Sequence, residues 1–398
     1  MKIKNSYSNI YKLNLYAFFH SFIFYYIIER LFEAERGLSI QEMVYLEIVY
    51  ATSIIIFEIP TGILADIWSR KRVMILSSFC FILYFYGLSI SFSFIGFALS
   101  VVCAAFSGAL SSGTLNAIYY DSLKENNKEL EFEKVLATSE LYASISASIG
   151  ALVGSWVATR YNYTYTSYLS IITVFIAFLI TFTLIEPKRS YAQDEDNEIE
   201  NNSNIKTSYK EILDFFKNDK ILYHIILVSI LMVATIGYID EYWQIYFEKV
   251  NFPIILFGIY SIFREFFSAI SRFLAYKIKE KISITNIFSI SLFFSALFII
   301  ITGFMANKIG IIFMTLVFIF SGMIDILSLG YIHHKVESKY RATIESVFNF
   351  IERFFVIIIG LIFSYVSTNF SIFSGFIFLG IFMLLSFVIL KFGKIFIR

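Results

Sequence analysis

Twelve apolar runs, each about as long as the ~20 residues a helix needs to cross a bilayer, dominate this chain of 398 residues. They fall at approximately 11–32, 43–68, 73–91, 94–121, 134–158 and 163–185, and again at 221–247, 254–277, 283–304, 309–333, 342–366 and 370–391. In hydrocarbon every backbone polar group must be satisfied inside the protein, which apolar runs of this length achieve as helices. With 58% hydrophobic and only 16% charged residues, the chain is too apolar for an ordinary soluble domain. The expectation is an all-α integral membrane protein. The first run follows Met1-Lys2-Ile3-Lys4 as a signal peptide would, but no small-residue cleavage site comes after it and Glu29-Arg30 ends it. It therefore reads as a retained first helix.

Six runs precede a polar break at 186–220 and six follow it. The break holds Pro187-Lys188-Arg189, the acidic stretch from Asp194 to Glu200 and then Asn201-Asn202-Ser203-Asn204. Such a sequence buries too little apolar surface to fold alone and is expected to be a flexible or peripheral linker. Lys210 to Phe216 within it has the pattern of a short amphipathic surface helix. The organisation expected is an N-terminal six-helix half at 1–185, a cytoplasmic linker at 186–220 and a C-terminal six-helix half at 221–398. Lys2, Lys4, Lys12, Arg70-Lys71-Arg72, Lys124, Lys128, Lys277 and Lys391 fall on one side with the linker, while the opposite loops offer little beyond Arg36, Arg160, Lys249 and Lys308. That asymmetry places both termini in the cytoplasm.

The most informative stretch is Phe57-Glu58-Ile59-Pro60-Thr61-Gly62-Ile63-Leu64-Ala65-Asp66-Ile67-Trp68-Ser69-Arg70-Lys71-Arg72. Gly62 and Asp66 share a helical face; a glycine there lets a neighbouring helix approach, and Asp66 sits one turn before Arg70. Gly62-x-x-x-Asp66-x-x-x-Arg70-Lys71-Arg72 resembles the loop between helices two and three of the major facilitator superfamily, and Phe57 to Gly62 is similar to its bacterial efflux-type branches. The resemblance implies twelve transmembrane helices in two six-helix halves and a cytoplasmic gate in which Asp66 and Arg70 are the interacting charges. Ser69 stands where that family usually has glycine. In the second half, Ser271-Arg272-Phe273-Leu274-Ala275-Tyr276-Lys277 carries the positive charge without the Gly or the Asp, so a latch built on this loop is asymmetric. Ser146-x-x-x-Gly150-x-x-x-Gly154 is a small-residue stripe suited to close helix packing; it also looks like a weakened antiporter motif of the same family, without its proline.

Ionisable residues inside the spans are costly unless they face partners or a cavity, which makes them candidates for substrate or ion pathways. Glu58 lies eight residues before Asp66, about 12 Å deeper at 1.5 Å per residue, where a carboxylate alternating between protonated and ionised forms suits proton coupling. The bland reading is a structural Glu beside Pro60. Arg264-Glu265 falls near the middle of helix eight and Glu352-Arg353 near the middle of helix eleven. Neighbours on a helix point about 100° apart, so pairing across helices is expected, Arg264 with Glu352 or Arg353 with Glu265, with plain structural salt bridges as the rival reading. Asp240-Glu241 in helix seven and Glu29-Arg30 in helix one are expected near the external mouth, with Glu47 close to the same boundary. Asp121, at the inner end of helix four, matches the depth of the basic loop and is preferred over Glu140 as the partner of Arg70 or Arg72. Asp325 and Glu345 occupy comparable inner positions in the second half.

Net charge of +1, spread through short loops, argues against a nucleic-acid partner. Cys80 and Cys103 lie in apolar runs with no Cys-x-x-Cys or His spacing, so neither a disulfide framework nor a metal site is expected; His224, His333 and His334 form no metal-ligand pattern either. No nucleophile–base set, dinucleotide loop or phosphate loop supports catalysis or a cofactor. The expected function is secondary transport across a bacterial plasma membrane by a chain working as a monomer, with proton-coupled efflux of drugs or other small organic compounds preferred. A carrier for one metabolite or anion is the near alternative, and a non-transporting receptor the distant one.

Overall fold

The first passage through the membrane is not one helix. In the computed structural model, which describes residues 6–187, 220–335 and 338–392, α1 (Ser8–Ser21) stops, the chain runs through Phe22–Tyr25 without helical hydrogen bonding, and a 3₁₀ turn at Tyr26–Ile28 leads into α2 (Glu29–Glu35). The expectation of an unbroken span at 11–32 is corrected here. A break at this depth leaves amides and carbonyls that no water can satisfy. α8 (Tyr163–Thr183) supplies the partners. The Ser170 hydroxyl accepts from the amides of Phe24 (3.0 Å) and Tyr25 (3.3 Å), and the Thr173 hydroxyl donates to the Phe22 carbonyl (2.8 Å).

The same break explains the small-residue stripe. It lies on α7 (Phe132–Arg160), and an added Cβ at Gly150 would stand 2.6 Å from the Ile23 carbonyl oxygen, while one at Gly154 would fall on that of Phe24. Only glycine lets the α7 backbone approach the interrupted strand of α1–α2 so closely.

The other passages of the first half are α3 (Ile40–Ile67), α4 (Arg70–Ile90) and a helix bent at Ser112–Gly113 into α5 (Phe94–Ser111) and α6 (Thr114–Lys124). α3 opens with a capping box: the Glu42 amide donates to the Ser39 hydroxyl (3.2 Å) and the Ser39 amide to the Glu42 carboxylate (2.8 Å). Pro60 sits inside α3, and the Thr61 hydroxyl turns back to the Phe57 carbonyl (2.8 Å) and reaches the Ala109 carbonyl of α5 (3.2 Å). The second half comprises α9 (Lys220–Lys249), α10 (Phe257–Lys279), α11 (Ile284–Met305), α12 (Gly310–Lys335), α13 (Ser338–Asn369) and α14 (Ile372–Phe392). Eleven helices among the described residues are long and apolar enough to span a bilayer unaided, and the interrupted α1–α2 is the remaining passage.

By contact the chain divides into two compact units, one of Met1–Ala192 with Pro253–Ser261, the other of Gln193–Phe252 with Ile262–Arg398. In the first, α4 packs on α5 and α8, α3 on α5, and α1 on α7 and α8; the start of α10 belongs to it, with the Gly258 amide donating to the Ser155 hydroxyl of α7 (2.8 Å). Its core at the end carrying the basic loop gathers Leu13, Tyr16, Met74, Tyr119 and Leu123. In the second, α11 packs on α14 and α12, and α9 on α12 and α13. Glycines set the closest of these contacts. A Cβ at Gly303 would meet the Phe373 carbonyl at 2.7 Å, and one at Gly380 the Ala296 carbonyl at 2.9 Å.

Candidate functional site

Charged residues concentrate at three places, two in the first unit and one in the second. At the basic end of the first unit, Ser69 has extended backbone and caps α4, its hydroxyl accepting from the Arg72 amide (3.2 Å). The position needs an N-cap and no left-handed turn, so serine serves it well. The guanidinium of Arg70 forms an ion pair with Asp121 and donates to the Ala117 carbonyl (3.0 Å), tying α4 to α6. Asp121 is buried at 4% exposure and Arg70 is at 20%, so the pair is largely out of solvent. Glu140 is exposed.

Sequence reasoning gave Glu186 no role, yet its carboxylate receives both the Arg70 amide (2.8 Å) and the Lys71 amide (2.9 Å). An anion on two free amides of a helix N-terminus is favoured by hydrogen bonding and by the helix dipole. Lys71 reaches the Phe182 carbonyl (2.6 Å), and the Arg72 side chain is exposed. The signal for Glu186 was its isolation between an apolar span and Pro187, where a carboxylate has to find a donor. Asn9 carries no such sequence signal; its side-chain amide bonds Ser122 (2.9 Å) and both backbone groups of Ile185, closing α1 onto α6 and the end of α8. The side chain of Asp66 lies outside the described residues. Gly62 departs from expectation: a Cβ there meets nothing within 4 Å among the described residues, so no close helix approach requires it.

At the opposite end of the same unit, Arg30 is buried and paired with Glu33 (2.9 Å) and Glu47 (2.8 Å), which joins α2 to α3. Arg36 spreads over the Phe92 ring (3.9 Å) and donates to Thr164 (3.0 Å). Glu58, on α3, is exposed.

The third cluster is in the second unit. Arg264 forms an ion pair with Asp240 of α9, donates to the carboxylate of Glu265 (3.0 Å) and lies 5.1 Å from the centre of the Phe318 ring of α12. Asp240 is nine residues before the end of α9 and Arg264 seven after the start of α10, about 14 Å and about 11 Å in from those ends. The expected partners of Arg264 and Glu265 are corrected: both bond within this cluster and neither pairs with Glu352 or Arg353 among the described residues. An arginine stem is long and flexible enough for its fork to return to the adjacent residue although the two Cβ directions diverge. Glu352 and Arg353 are half-buried on α13, and Glu352 senses the charge of Asp325 in the pocket beside Arg264; Glu345, His333 and His334 lie outside the described side chains.

Around Arg264 opens a pocket of about 210 Å³, into which Asp240, Glu265, Arg272, Ser268, Ser321 and Asp325 contribute polar groups. Close approach of α12 to α10 is possible because residue 322 is glycine; a Cβ there would stand 2.8 Å from the Ser268 carbonyl. Three carboxylates and two guanidinium groups line a concavity in a bundle built for hydrocarbon. That is an arrangement able to hold a polar solute or to exchange protons.

The family model of the Major Facilitator Superfamily matches residues 13–361. The chain belongs to the Major Facilitator Superfamily. It is therefore a multi-pass membrane transporter rather than an enzyme. An uncharacterised transporter of Buchnera aphidicola, BU466, is 22% identical over 321 residues, 76% of this chain and 74% of that protein. Among solved structures, a point mutant of the nucleoside transporter NupG aligns with a TM-score of 0.74 at 14% identity, covering 99% of this chain and 100% of that one. A bacterial homologue of the human lysosomal transporter Spinster aligns equally well, at 0.74 and 14% with 99% of each chain covered. The D-xylose–proton symporter gives 0.67 at 12%, with 96% of each covered. At such identities these likenesses establish the twelve-helix major facilitator fold.

Proposed function

We propose that this major facilitator is a proton-coupled secondary transporter of a bacterial plasma membrane, with both termini cytoplasmic, that exports small organic compounds by alternating access of its halves at 1–185 and 221–398. The observation that carries the proposal is the Asp240–Arg264–Glu265 cluster bordering a polar pocket of the second unit, with Arg264 at 14% exposure and the carboxylates of Asp240 and Glu265 at 47% and 61%. Arg264 is held by two carboxylates. Protonating Asp240 removes one of them and frees part of the guanidinium for another acceptor, and a solute that competes for Arg264 or for Asp240 changes the affinity for the proton in turn. Reciprocal linkage of this kind is what coupling requires.

The charge balance bears on the substrate. Asp240, Glu265 and Asp325 against Arg264 and Arg272 leave the lining with one net negative charge, which favours cationic or neutral compounds. Arg264 already has two anionic partners, which weighs against the reading of a carrier for one anion. Efflux rests on the similarity of Phe57–Gly62 to efflux-type branches, with Glu58 as a further carboxylate of the pathway. Arg70, Asp121 and Glu186 hold the start of α4 in register with α6 and α8, and Gly62, Asp66, Lys71 and Arg72 complete the cytoplasmic gate in this proposal. The test is pH-gradient-driven accumulation in inverted vesicles of a panel of cationic, neutral and anionic dyes. Cationic dyes are expected to accumulate with wild type and not with Asp240→Asn; accumulation confined to anions contradicts the substrate class.

A further inference from the structure

Away from the Arg264 pocket, α9, α11 and α14 of the second unit enclose a groove of about 440 Å³. Its polar groups gather at one end. Thr285 and Asn286 stand in the first turn of α11, and Lys391 in the last turn of α14. Ser289 and His224 follow a turn deeper, their side chains 3.4 Å apart. Beyond them the wall is aromatic. Phe293 and Phe294 are eight and nine residues into α11 from Thr285 and its neighbourhood, about 12 Å deeper along the helix. Phe387 stands one turn from Lys391, whose ammonium lies 5.3 Å from the centre of its ring.

Two features decide what fits. The gradient from polar helix ends to aromatic walls runs along helices that cross the bilayer, so it follows the head-to-tail order of a membrane lipid. Among the described lining residues Lys391 is the one that carries a formal charge, and none of them is Asp or Glu. The groove volume lies in the range of roughly 300–1,000 Å³ found for small-molecule sites, and basic grooves between transmembrane helices take anionic headgroups. We infer that this groove binds an anionic glycerophospholipid, its phosphate at Lys391, Asn286 and Thr285 and an acyl chain along Phe293 and Phe294. The inference requires only that the chain spans a membrane and is independent of the proton-coupling proposal.

The test is native mass spectrometry of the purified, delipidated full chain titrated with phosphatidylglycerol or with phosphatidylcholine of the same acyl chains. Wild type is expected to retain phosphatidylglycerol about fivefold better, the effect of one lysine at an anionic surface. Lys391→Glu is expected to lower phosphatidylglycerol to or below the phosphatidylcholine level, and Ile290→Trp, which fills the groove and keeps Lys391, to lower both. Each variant is checked for an unchanged thermal transition, and Lys391→Gln, at an exposed helix end, replaces any that fails. Equal retention of the two lipids by wild type, or a preference unchanged in folded Lys391 variants, overturns the inference.

Discussion

Replacing Gly150 with alanine tests the account of the interrupted first helix. The new Cβ would lie 2.6 Å from the Ile23 carbonyl oxygen and 3.2 Å from its carbon. The obstacle is backbone, so a side-chain rotation cannot relieve it, and α7 has to withdraw from α1–α2 by several tenths of an ångström. Overpacking of this kind costs about 1–3 kcal/mol. The movement also loads the Ser170 and Thr173 bonds that satisfy the break, each worth about 1 kcal/mol. Against this, alanine gains about 1 kcal/mol over glycine in a helix interior. The net expectation is a loss of about 1–3 kcal/mol. The matched control is Gly62→Ala, where nothing among the described residues lies within 4 Å of the added atom and the helix preference acts alone, giving a gain of up to about 1 kcal/mol. Thermal unfolding of the detergent-solubilised protein, followed by loss of the monodisperse chromatographic peak, should put Gly150→Ala several degrees below wild type and Gly62→Ala at or above it. Equal transitions for wild type and Gly150→Ala would refute the packing argument.

Three further outcomes are expected. Asp121→Ala strands the largely buried Arg70 guanidinium and should cost about 2–3 kcal/mol, with Asp121→Asn intermediate because it still accepts a hydrogen bond; the same thermal assay reads both. Ser170→Ala removes the acceptor of two buried amides and should cost about 1–3 kcal/mol, whereas Ser148→Ala, which loses only an exposed bond to its own helix, should be nearly neutral. Glu186→Gln keeps one acceptor for the amides of Arg70 and Lys71 but loses the charge, and a lowering of about 0.5–1 kcal/mol is expected; high salt should shrink the difference between Glu186→Gln and wild type.

The twelve passages were legible because bilayer thickness fixes a run length that composition cannot disguise. The break at Phe22–Tyr25 was not, since none of Phe22, Ile23, Phe24 or Tyr25 is a helix breaker. What permits it lies far along the chain, in the hydroxyls of Ser170 and Thr173 and the absent side chains of Gly150 and Gly154. The stripe on α7 was visible as a packing surface, but its partner, bare backbone, was not. At the basic loop, a fixed rise per residue is enough to set Asp121 level with Arg70. Glu186 escaped notice because its work is done with backbone amides, which carry no sequence signature at a distance. For Arg264 the helical wheel misled: Cβ directions say little about where an arginine fork ends, and Asp240 lies on α9 at a matching depth while Glu352 lies on another helix.

The central claim is that movement of substrate is tied to movement of protons at the Asp240–Arg264 cluster. It is tested most directly with purified protein in liposomes enclosing a pH-sensitive dye, by adding a transported cationic compound with no imposed gradient. The account predicts a substrate-dependent pH change in wild type that is absent in folded Asp240→Asn while that variant still binds the compound. Substrate flux with no pH change in wild type, or an undiminished pH change in Asp240→Asn, would contradict it.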